Sequence, residues 1–61
     1  MNKSEIREVS KLVQYHKLGM ADCVARGLSA LIRSARTAKS KAALLEYAPI
    51  FGVANHPDFI I

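Results

Sequence analysis

The stretch "RGLSALIRSARTAKSK", residues 26–41, governs how the rest of this chain is read. It holds five cations, Arg26, Arg33, Arg36, Lys39 and Lys41, and no acid. Within it Leu28, Leu31, Ile32 and Ala35 recur at three- and four-residue steps, with Val24 and Met20 extending the series upstream. That period puts the apolar residues on one side of an α-helix, opposite Arg26, Ser29, Arg33, Arg36 and Ser40. A helix over about residues 21–37 is expected. Asp22 suits its positive N-terminal end and is spaced to pair with Arg26 one turn later, while Arg36 and Lys39 suit its C-terminal end. Gly27 sits inside the pattern at about 1 kcal/mol relative to alanine. Close approach of a neighbouring helix is the expected compensation.

Working outward, Ile6, Val9, Leu12, Val13 and His16 form a second apolar stripe. Asn2 and Glu5 are spaced as a capping-box variant, and Gly19 suits a left-handed stop. The expected helix spans about 3–18. Downstream, Thr37 or Ser40 can cap a third helix near 41–51, carrying Leu44, Leu45, Ala48 and Phe51. Pro49 lacks an N–H and crowds the preceding turn, so this helix should stop or kink within 48–52. Beyond it, residues 53–61, "VANHPDFII", read as a non-helical apolar tail. The fold expected is all-α: one domain over residues 1–61, a small three-helix bundle with the tail packed on it or on a partner chain.

Size limits the alternatives. A chain of 61 residues buries only about 60% of its unfolded surface, so its stability margin is thin. Cys23 is the single cysteine, which excludes an internal disulfide and suits a reducing, cytoplasmic setting. The N-terminal "MNKSEIREVS" mixes charges of both signs and has no apolar leader core, and no apolar run approaches a membrane span. Beginning with Met, the chain reads as a complete small gene product. Its net charge of +4 is uneven. Residues 20–41 set five cations against Asp22, whereas residues 42–61 hold only Glu46 and Asp58. Such asymmetry bears on partners rather than on fold.

Candidate chemistry is sparse. His16 could act as a base with Cys23 or Asp58, but a nucleophilic site also needs an orienting group and a pocket. The expectation is a half-buried, hydrogen-bonded histidine and a packed thiol. His16, Cys23, His56 and Asp58 lack the tight pair spacing of structural zinc sites. No catalytic residue, metal, cofactor or small-molecule substrate is therefore inferred. The tripeptide "HPD", residues 56–58, is similar to that of J-domain co-chaperones. In that family it joins two long helices, the first lysine-rich, whereas here residues 42–52 are mostly apolar with no cation, and three residues follow. The local reading is a turn stiffened by Pro57.

Two surfaces remain. Phe59, Ile60 and Ile61 end the chain in exposed apolar bulk unless covered by the bundle or by a second copy, each side chain being worth about 1.5–3 kcal/mol when buried. The basic residues Arg26, Arg33, Arg36, Lys39 and Lys41 either solvate a helix or meet a polyanion. The function expected is a non-enzymatic interaction module whose partner is another protein or, by two-fold symmetry, a second copy of itself. The alternative is a sequence-nonspecific nucleic-acid binder using the five cations.

Overall fold

A computed structural model describes residues 2–61. The chain forms α1 (Lys3–Lys17), α2 (Ala21–Ser34), α3 (Ala38–Leu45) and α4 (Tyr47–Phe51), and no strand occurs among the described residues. This is the small all-α three-helix bundle that the apolar spacing implies, with its third member in two pieces. The Asn2 side chain accepts from the Glu5 amide at 2.9 Å, and Glu5 Oε1 accepts in return from the Asn2 amide. The capping box that starts α1 is complete. Leu18 closes α1, and Gly19 turns the chain at φ 74° before α2.

The core sits around α2, which contacts α1, α3 and α4. Val24, Ala25, Leu28 and Ile32 meet Val9 and Leu12 of α1, Leu44 of α3, Ala48 and Phe51 of α4, and Val53 beyond. Gly27 has the compensation its position demands: a Cβ there would stand 2.5 Å from Leu12 Cδ2. The missing side chain is what lets α1 lie so close. The α1 stripe is narrower than its sequence suggests. Ile6 and His16, at its two ends, are exposed, and buried contact is confined to Val9 and Leu12, with Val13 half-buried.

Helix boundaries differ from the expected ones for identifiable reasons. α2 ends at Ser34 rather than near 37, and α3 begins at Ala38 rather than 41. Thr37 acts as the N-cap of α3, its Oγ1 accepting from the Ser40 amide at 3.1 Å. An N-cap requires extended backbone, which Thr37 adopts at φ −125° and ψ 153°, so α2 must stop before it. The third helix stops at Gly52, at φ 73° and inside the expected 48–52 window, but it also breaks earlier, at Glu46. A continuous helix would need Pro49 to donate to the Leu45 carbonyl and would press its ring against that group. Breaking at Glu46 instead puts Pro49 in the first turn of α4, where amides have no intrahelical acceptor.

Residues 53–61 are non-helical, as expected, but they are firmly placed. The Val53 amide donates to Ala48 O, His56 to Val53 O and Phe59 to His56 O, all at 2.9–3.0 Å. Val53 is fully buried, and Phe59 packs against the core. "HPD" lies within these turns and leads into no further helix.

Candidate functional site

Of the five cations in the basic row, α2 carries Arg26 and Arg33, Arg36 lies in the α2–α3 connection and Lys39 and Lys41 lie on α3. The first part of the row is already occupied by the chain's own tail. His56 Nε2 lies 2.9 Å from Asp22 Oδ1. Arg26 Nη1 donates to Asp58 Oδ2 at 3.5 Å, and Ser29 Oγ is 3.5 Å from the Asp58 carbonyl. Asp22, Arg26 and Ser29 follow one another along one helical face, so the tail runs beside α2 in the same direction. The anticipated Asp22–Arg26 pair is not formed; each residue turns instead to a tail residue more than thirty positions away.

Ser29 departs furthest from its expected place. Read as part of the solvent-facing row, it is 2% exposed. Its hydroxyl donates back to Ala25 O at 2.8 Å, which satisfies the polar group inside its own helix. A covered serine therefore carries no orphaned donor, and the tail can lie over it at little cost.

Asp22, His56 and Asp58 bring potential metal-ligating atoms within 4.8 Å of one another. Neither His16 nor Cys23 belongs to that cluster: His16 is exposed with its ring 5.3 Å from that of Phe51, and Cys23 is a half-buried free thiol. The imidazole of His56 is committed on both sides. Its Nδ1 accepts from the Asp58 amide at 3.0 Å, which leaves the ring proton on Nε2, facing Asp22. An Nε2 that carries a proton offers no lone pair to a cation. The cluster acts chemistrywise as a hydrogen-bonded clasp between α2 and the tail.

The second half of the basic row is bare. Arg33, Arg36, Lys39 and Lys41 are all exposed, and among the described residues none has a carboxylate within 4.0 Å. Most of the acids are engaged elsewhere: Glu5 in the α1 cap, Glu8 with Lys11, Asp22 with His56 and Asp58 with Arg26. Arg36 shares a shallow groove with Asn2, Ser4, Glu5, Glu8, Leu31 and Ser34. In that groove Glu5 Oε2 is buried without a hydrogen-bond partner.

The apolar candidates also separate. Phe59, grouped with the chain end by sequence, belongs to the bundle, whereas Ile60 and Ile61 are 61% and 55% exposed. Ile6, Leu18 and Ile50 are likewise more than half exposed, and sequence spacing singled out none of them as surface. No helix among the described residues is long and apolar enough to cross a membrane. No family model, curated protein or solved structure gives a significant match to this chain.

Proposed function

We propose that this protein is a non-enzymatic interaction module of the cytoplasm that associates with a second copy of itself through the aliphatic end of its tail. The observation that carries this reading is the division within "FII": Phe59 joins the core and donates its amide to His56 O, while Ile60 and Ile61 directly after it are exposed. Anchoring at Phe59 limits the range of the two residues that follow, which lowers the entropy cost of ordering them on association. Self-association also offers the staple that a short chain without a disulfide otherwise lacks. The lone cysteine supports a reducing compartment.

Area sets a condition on the proposal. A standard interface buries about 800 Å² per partner, roughly a fifth of the 4197 Å² surface of this chain. Two isoleucines can form the centre of such a patch but not its whole, so neighbouring exposed surface must join them. Sedimentation equilibrium tests the reading. The intact chain should show a dimer mass that reverts to monomer in Ile60→Ser/Ile61→Ser, with the helical circular-dichroism signal unchanged. A monomer mass at high concentration overturns the proposal.

A further inference from the structure

We infer that the bare half of the α2 row, with the first turn of α3, is an edge that binds the phosphate backbone of nucleic acid, and that Asp58 competes with that ligand for Arg26. The edge includes neither Ile60 nor Ile61, and the inference does not depend on self-association. Arg33 lies seven residues beyond Arg26, two helical turns and about 10 Å along α2. Arg36, Lys39 and Lys41 continue the positive field around the α2–α3 corner. Four exposed cations within nine residues, with no carboxylate within 4.0 Å of any, leave their mutual repulsion uncompensated in the free protein. A chain of phosphates removes that repulsion and releases its own counterions.

The surroundings favour phosphate over a lipid surface. The side chains between these cations are Ser34, Thr37 and Ser40 with only the small Ala35 and Ala38, and the apolar stripe of α2 is spent on the core at Val24, Leu28 and Ile32. α2 therefore has no free apolar face to insert into a bilayer. Arg36, sharing its groove with Glu5 and Glu8, is the weakest member of the set. Arg33, Lys39 and Lys41 should carry most of the binding.

Arg26 distinguishes this arrangement from a generic basic patch. It lies on the same row, but an internal carboxylate, Asp58, stands 3.5 Å from its guanidinium and competes there with a phosphate. The tail thus shortens the anionic track that α2 can offer.

The test is fluorescence anisotropy of the full chain with a labelled, mixed-sequence single-stranded RNA across a salt series. With about four contacts, affinity should fall roughly fiftyfold between about 50 and 200 mM salt. Arg33→Gln/Lys39→Gln/Lys41→Gln should lower the slope of log affinity against log salt by about 2. Arg26→Gln should weaken binding less than Arg33→Gln does, because only Arg33 has no carboxylate partner. Asp58→Asn, checked for folding by circular dichroism, should tighten binding about twofold at low salt, and Arg26→Gln in that background should remove the gain. No binding at low salt overturns the inference, as does an unchanged slope in the triple variant. Stronger binding to phosphatidylserine vesicles or polyglutamate than to RNA overturns the choice of ligand. An Arg26→Gln loss equal to that of Arg33→Gln overturns the competition.

Discussion

Two halves of one helical face meet different fates in this protein. Asp22, Arg26 and Ser29 are covered or paired by residues 56–58, whereas Arg33 continues the row into solvent. Residue type does not separate the halves, since each has an arginine with a serine close by. What separates them is a segment more than twenty-five positions downstream that presents an imidazole and a carboxylate in the right order. A charged helical row is therefore not one surface by default. Its exposure is set by what the chain brings back to it.

The comparison is broken most severely at its covered end. Ser29→Arg, which merely extends the basic row on a helical wheel, forces a charge beneath the tail and should lower unfolding free energy by about 3 kcal/mol. Arg33→Ser on the same face should stay within about 0.5 kcal/mol of wild type. Urea denaturation followed by circular dichroism measures both. Similar effects at the two positions would mean that the two halves are alike.

Phe59→Ala removes the side chain that seats the tail on the core. As Phe59 is half-buried, it should cost about half of the ~3–5 kcal/mol typical of a fully buried phenylalanine. Next comes His56→Ala, which deletes both the contact with Asp22 and the acceptor for the Asp58 amide. The expected loss in the same titration is about 1 kcal/mol. Arg26→Gln has the smallest effect. Its pair with Asp58 is long and mostly exposed, so the change in stability should lie below about 0.5 kcal/mol and vanish in high salt.

Legibility in the sequence follows the same divide between local and distant causes. The apolar periods of α1 and α2, the Asn2–Glu5 box and the Gly19 turn are set by neighbours within a few residues, and spacing exposes them. Gly27 marked a close approach by its cost inside a helix, but not its partner, Leu12 of α1. Pro49 announced a break but not its place. Moving the break to Glu46 suits the proline by giving it a first-turn position, and a rule centred on the proline itself points a few residues too late. Asp22 has a suitable partner at one helical turn and another thirty-four residues away, and nothing in the sequence ranks the second above the first. Ser29 was invisible as a covered residue because its hydroxyl is satisfied by Ala25, so small polar character and burial coexist there. The candidate surfaces were legible as residue types. Their division, Phe59 from Ile60 and Ile61, and Arg26 from the other four cations, depended on tertiary placement.

The account rests on the tail being seated along α2, and amide hydrogen exchange followed by NMR tests that directly. The amides of Val53, His56 and Phe59 each donate to a backbone carbonyl and should be protected, with Val53 the slowest because it is fully buried. Exchange of the His56 and Phe59 amides at unfolded-peptide rates, while α2 remains protected, would contradict it and leave the entire basic row open to solvent.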